Sequence, residues 1–183
     1  MRNDNCLCSV CQKKLIPKFI NFDIDGIEGL SIYEYDDNIK SLLYQFKGCY
    51  DYELKDIFLF RYKYELRIRY HSYVVVPVPS YGGDDQRRGF NHVEEIFKSI
   101  NLPIVKSVVK FSPFKQAEHE RKQRSNIAKH LRLIDGVNLN GKNVLLVDDV
   151  CTTGATLRAM IALLKQAGAK KIKILVMSKR IIK

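Results

Sequence analysis

Val144-Leu145-Leu146-Val147-Asp148-Asp149-Val150-Cys151-Thr152-Thr153-Gly154-Ala155-Thr156-Leu157 decides how the rest of the chain is read. Its first four residues form an apolar run of the kind found in strands buried on both faces. Two adjacent carboxylates follow, then a Thr-rich turn through Gly154, and then Leu157, Met160, Ile161 and Leu164 at helical spacing. A strand that delivers two acids to the start of a helix places unpaired N–H groups, the hydroxyls of Thr152, Thr153 and Thr156 and the positive end of the helix dipole in one spot, which suits a phosphate. Gly154 allows the ligand to come close to the backbone. The two acids suit the vicinal hydroxyls of a ribose or a hydrated Mg²⁺.

The flanking segments follow the same alternation. Asn143 to Val147, Tyr73 to Val78, Ile104 to Val109 and Ile172 to Met177 read as strands, and Leu30 to Tyr35 as a half-buried one. Phe90, Val93, Ile96, Phe97 and Ile100 mark a helix between two of them. Another carries Ile39, Leu42, Leu43 and Phe46 after an Asp36-Asp37 cap, with Gly48 as its stop. The first part of 53–70 reads as a further helix, with Pro79 to Gly83 opening a loop and Asp23 to Glu28 a turn. Strands alternating with helices predict an α/β fold with a mostly parallel central sheet flanked by helices. The organisation expected is a Cys-rich arm over 1–20 and one domain over 21–183, within the range of about 100–200 residues per domain.

The chain has 183 residues with 46% apolar and 28% charged, which excludes a linker or tail protein. No apolar run approaches the ~20 residues a membrane-spanning helix needs, and no signal-like segment follows Met1, so a cytoplasmic protein is expected. Thirty-one Lys and Arg against twenty Asp and Glu give +11, a surplus that attracts phosphate-bearing partners. Basic residues gather in 106–132, from Lys106 and Lys110 through Lys115, Arg121, Lys122, Arg124 and Lys129 to Arg132, against Glu118 and Glu120. Aromatics interleave with Arg and Lys over 58–70, a composition suited to single-stranded DNA if the rings are exposed and to a core if they are not. Five cysteines in such a chain argue against a disulfide framework. Cys6, Cys8 and Cys11 offer a Cys-x₂-Cys pair and one extra thiol toward Zn²⁺, which wants four ligands, so Cys49 or a second molecule would have to complete the site. Cys151 is expected to pack beneath the Thr-rich turn. His71, His92, His119 and His130 form no ligand pattern and receive no catalytic role.

The 144–157 stretch resembles the 5-phosphoribosyl-1-pyrophosphate (PRPP) signature of type I phosphoribosyltransferases. Residues ~30–183 are similar, in order, to the ComF branch of that superfamily, whose fold is amidophosphoribosyltransferase-like. Val76-Pro77-Val78-Pro79-Ser80 resembles its pyrophosphate loop, and Gln86-Arg87-Arg88-Gly89-Phe90-Asn91 its Arg-Gly-Phe-Asn stretch. Lys115-Gln116 with Arg121, Arg124, Ser125 and Asn126 resembles its basic mobile loop, here ~112–126. The resemblance implies a type I phosphoribosyltransferase fold with PRPP held by Asp148, Asp149, Thr152, Thr153, Gly154, Ala155 and Thr156. The two acids would orient the sugar for catalysis. Ser80, Arg87, Arg88, Lys115 and Arg121 would meet the pyrophosphate. Mg²⁺ would accompany PRPP, and a zinc module would sit at the N-terminus. A role in DNA uptake and natural competence is also implied, with single-stranded DNA, the uptake machinery and a second copy of the chain as partners. Salvage-type enzymes often carry an acid where this chain has Thr152, and its absence counts against nucleobase salvage; a salvage or amido-phosphoribosyltransferase is nonetheless the alternative, and a single-strand-binding adaptor without turnover is another.

Overall fold

The computed structural model describes residues 15–111 and 130–181. The cysteine arm, with Cys6, Cys8 and Cys11, and the 112–126 loop, with Lys115 and Arg121, lie outside those residues.

Among the described residues, five strands form the central sheet: β1 (Ile20–Ile24), β2 (Ile27–Glu34), β3 (Tyr73–Pro77), β6 (Asn143–Cys151) and β7 (Lys171–Lys179), in the order β1-β2-β7-β6-β3. Only β1 and β2 pair antiparallel; the other three junctions are parallel, as the β/α alternation predicts. β1 is absent from the sequence reading. Its hairpin turns on Asp25 at φ 52 and Gly26 at φ 81, the left-handed pair that a two-residue hairpin demands. β4 (Val108–Lys110) and β5 (Leu131–Leu133) form a separate antiparallel pair, so 104–109 is not a full sheet strand. Only Ile104 bridges to Val75 before the chain leaves the sheet edge.

The helices are α1 (Asp37–Gly48), α2 (Lys63–Arg69), α3 (Gly82–Arg88), α4 (His92–Lys98) and α5 (Ala155–Gln166). α1 is started by Asp36, whose side chain accepts from Ile39 N at 2.9 Å, a cap that contributes about 1 kcal/mol. It buries Ile39, Leu43 and Phe46, as its spacing predicts. The expected helix early in 53–70 is instead a short 3₁₀ segment, Tyr52–Asp56, and α2 occupies the later half. Ile57, Phe58 and Leu59 are all buried, a run with no polar face for a surface helix to present. α3 lies where the sequence suggests a loop, begun by Gly82-Gly83.

The sheet is covered on both faces. Leu145 and Val147 face a core built with α1, α2 and α4, whereas Val144 and Leu146 face one built with α5, β4 and β5. Fully buried Phe46 and Phe58 each contribute roughly 1.5–3 kcal/mol to the first.

Candidate phosphoribosyl site

β3 stops pairing with β6 at Pro77 and Val147, and one further bond joins Val78 N to Val147 O. β6 runs on to Cys151 against β7 alone. The sheet therefore opens on its β3 side at the point where Asp148 and Asp149 arrive, the crevice at strand carboxyl ends where open α/β sheets bind ligands. Both acids are buried, at 9% and 7% exposure.

The period of two along a strand puts Asp149 on the face of Leu145 and Val147, toward α1 and α4. Both helices meet it there. Lys47 Nζ of α1 lies 2.7 Å from Asp149 Oδ2, and His92 Nε2 of α4 lies 3.3 Å from the same oxygen. Asp149 Oδ1 accepts from Val150 N at 2.8 Å, and its carbonyl accepts from the buried Ser178 hydroxyl at 3.2 Å. Burial by itself would raise the Asp149 carboxyl, but the Lys47 ammonium and the His92 N–H outweigh it and hold it well below the usual carboxylate range. Burial also works against the charge on Lys47, and Asp149 more than offsets it, so the ammonium is held more tightly than in water.

Asp148 behaves in the opposite way. Burial and then the neighbouring Asp149 charge push its carboxyl well above the usual range, and the Asp149 N–H that its Oδ1 accepts at 2.9 Å offsets this only in part. The two adjacent carboxyls are thus pushed in opposite directions, because Lys47 and His92 contact Asp149 directly and no cation contacts Asp148 among the described residues.

Behind them, Gly154 turns the chain at φ 74 and, as the N-cap, offers α5 no side chain, while Thr153 Oγ1 accepts from Ala155 N at 3.4 Å. Thr152 and Thr153 are exposed, and Thr156 is half-buried. Arg158 clasps the turn, donating to Thr153 O at 2.9 Å and to Asp25 of the β1–β2 turn at 3.2 Å. A Cβ on Gly154 would lie 2.8 Å from Ile24 Cδ1 in a conformation L residues rarely adopt. Gly154→Ala is therefore expected to lower stability by about 1–2 kcal/mol, read as a lower urea midpoint at constant slope. Cys151 is buried beneath this turn, as expected, and burial raises its thiol.

The pyrophosphate-loop candidates split. Ser80 Oγ accepts from Asn91 Nδ2 at 2.9 Å and lies 3.4 Å from His92 Nδ1. Arg88 donates to His92 Nδ1 at 2.8 Å and to Asp85 Oδ1 at 3.2 Å, with its side chain 10% exposed. Arg87 instead points outward at 72% exposure, paired with Asp84. Ser80 and Arg88 thus join Asp149 in one network through His92, and Arg87 does not. The sequence alone gives His92 no ligand pattern and does not single out Lys47. The nearest signal was the position of His92 directly after the Arg-Gly-Phe-Asn stretch.

Among the described residues no cluster of three or more His, Cys, Asp or Glu is placed to hold a metal. The acid pair is nevertheless compatible with Mg²⁺, because that ion keeps several waters and is commonly carried by substrate phosphates rather than a protein cage. Cys49 is exposed and free at the end of α1.

The family model for the phosphoribosyl transferase domain matches residues 84–183. Competence protein ComFC of Streptococcus pneumoniae is 26% identical over 94% of this chain and 88% of its own length. Competence protein F of Haemophilus influenzae is 28% identical over 55% of this chain and 47% of its own. Among solved structures, a purine phosphoribosyltransferase from Pyrococcus horikoshii superposes with a TM-score of 0.40 at 28% identity, covering 67% of this chain and 71% of that one. With its parallel sheet and its acid pair ahead of the Gly154 turn and α5, the chain belongs to the phosphoribosyl transferase domain family, in its ComF-like type I branch.

Proposed function

We propose that the chain binds PRPP and acts as a phosphoribosyltransferase or PRPP-responsive factor in the uptake of DNA. The observation that carries this is the buried acid pair at the open end of β6, followed by the Thr-rich Gly154 turn into the start of α5. The ribose hydroxyls donate to Asp148 and Asp149, and the 5′-phosphate takes the α5 N–H groups and the Thr152, Thr153 and Thr156 hydroxyls. Arg88 and Ser80, joined to Asp149 through His92, would meet the departing pyrophosphate, and an arginine there would form charge-assisted bonds to it. In transfer, the bond from C1 to pyrophosphate breaks, a bond from C1 to the acceptor forms, and the acceptor's proton passes to solvent as pyrophosphate leaves. Mg²⁺ bound to the pyrophosphate would spread the charge that develops on it.

The test is calorimetric titration of PRPP with Mg²⁺ into the wild type and into an Asp148→Asn, Asp149→Asn variant shown to be folded. Heat of binding in the wild type that the variant loses is the expected result; no heat in either overturns the proposal.

A single-stranded DNA surface is a second reading, favoured by α2. Phe58 and Tyr70 of the aromatic run are core residues, but Tyr64 and Ile68 stand 69% and 75% exposed beside Arg67 and Arg69. Binding to a DNA single strand is then expected to weaken steeply with salt, to survive Asp149→Asn, and to fall roughly tenfold in Tyr64→Ala, a loss in the range of ~1–3 kcal/mol per stacked base. Affinity unchanged in Tyr64→Ala, read by fluorescence anisotropy, removes α2 from the reading.

A further inference from the structure

His92 touches both ends of the candidate site. Its Nδ1 is 2.8 Å from an Arg88 N–H, and because arginine can only donate, that nitrogen is the acceptor. The hydrogen-bond network therefore assigns the ring proton to Nε2, which donates to Asp149 Oδ2 at 3.3 Å. Ser80 of the loop after β3 lies 3.4 Å from the same Nδ1 and is fixed by Asn91, whose other bond from Nδ2 reaches Asp85 Oδ2 at 3.0 Å. The groups facing the ring are thus Arg88 and Asp85 from α3, Ser80 from the loop, Asp149 from β6, and Lys47 from α1 across the shared carboxylate.

Hydrogen bonds in a chain polarise one another. An arginine donating to Nδ1 draws electron density through the imidazole and makes Nε2–H a stronger donor to Asp149. When Arg88 turns to an anion instead, that donor weakens, and Asp149 regains capacity to accept from another group.

We propose that His92 is a positioning residue that couples the two halves of the substrate site, so that an anion drawing Arg88 away at the pyrophosphate end frees Asp149 to take ribose hydroxyls at the other. It acts through Asp149 and Arg88 rather than on the reacting atoms. The inference rests on the proposed PRPP site for its ligands, while the contact on which it depends is a property of the free chain.

Two experiments test it. In the first, ribose 5-phosphate is titrated with and without saturating pyrophosphate into the wild type, His92→Leu and His92→Gln. The amide of Gln can donate to Asp149 and accept from Arg88, as the imidazole does. The ratio of the two affinities is expected to favour pyrophosphate-assisted binding about fivefold more in the wild type than in His92→Leu, at the lower end of measured couplings, and to be largely restored in His92→Gln. A purely structural role would shift both affinities and leave their ratio alone. Equal ratios in all three proteins overturn the coupling. In the second, no ligand is used: the carboxyl ¹³C resonance of Asp149 and the ring ¹⁵N resonances of His92 are compared between wild type and Arg88→Ala. Both are expected to move. An Asp149 signal unaffected by Arg88→Ala overturns the inference, whether or not PRPP binds. Movement of both signals in a chain that binds neither ligand upholds the coupling and sinks the PRPP reading instead.

Discussion

Lys47→Met is expected to destabilise the protein by about 2 kcal/mol at neutral pH, with the loss shrinking as the solution is acidified. The substitution keeps the length of the aliphatic stem and removes only the ammonium, leaving a carboxylate with 10% exposure whose remaining support is His92 and one backbone N–H. Breaking one side of a fully buried pair costs about 3–5 kcal/mol, and the 38% exposure of the Lys47 side chain lowers that through solvent screening. In the wild type Asp149 is depressed below its unfolded value, so its stabilising contribution is present above the ordinary carboxylate range and is lost only as pH falls through its low folded value. Without Lys47 that carboxyl moves upward and takes a proton sooner, which relieves the penalty and narrows the gap between the two proteins. Urea denaturation from pH 7 down to pH 4 reads this, and Lys47→Arg should stay near wild type. A gap that is constant over that range would show that Lys47 supports the fold by packing and not by charge.

Asp148→Asn should do the reverse to stability while weakening the ligand. The Asp148 carboxyl is raised in the folded state, so the fold binds a proton more readily than the unfolded chain. Stability then falls as pH rises from the ordinary carboxylate range through the raised folded value. An amide keeps the acceptor for Asp149 N–H and carries no charge to desolvate. At neutral pH the variant is expected to be more stable by about 0.5–2 kcal/mol, the usual gain when a functional residue strained by its surroundings is relaxed. The difference should close below the ordinary carboxylate range. Ligand affinity is expected to drop ten- to a hundredfold, because a bond to a charged group contributes about 1.5–3 kcal/mol. Thermal melts across pH together with the PRPP titration measure both. A variant no more stable than wild type at pH 7 would mean that Asp148 is not held against its charge.

The two acids and the phosphate turn could be read from the chain because every part of that unit is contiguous: a strand, two acids, a turn and a helix start within fourteen residues. The faces of α1 and α5 were legible for the same reason, since period and caps are local. What completes the site is not local. Lys47 lies 102 positions from Asp149, and His92 reaches it from another helix, so only the packing of α1 and α4 on the sheet brings them there. No periodicity marks either residue, because both occupy the ends of their helices. The antiparallel edge was missed for a different reason. Asp25-Gly26 is a hairpin signal in its own right, but the short polar-apolar run before it is too brief to announce a strand. In 53–70 the buried Ile57-Phe58-Leu59 run defeats the search for a helical stripe, since tertiary burial on all sides leaves no face to recognise.

The position of β6, hydrogen-bonded to β7 and β3 with both faces covered, has a consequence for the timing of amide exchange. Nothing short of global opening can release the N–H groups of Val144 to Val147 to solvent, so their deuterium uptake should be the slowest in the molecule and should report the full unfolding free energy. Because the same strand ends in the acids, a ligand bound there slows those amides by a factor of one plus the ratio of free ligand concentration to Kd, although none of them touches it. The most protected residues of the protein would thereby serve as a gauge of site occupancy, readable by mass spectrometry without any knowledge of the acceptor.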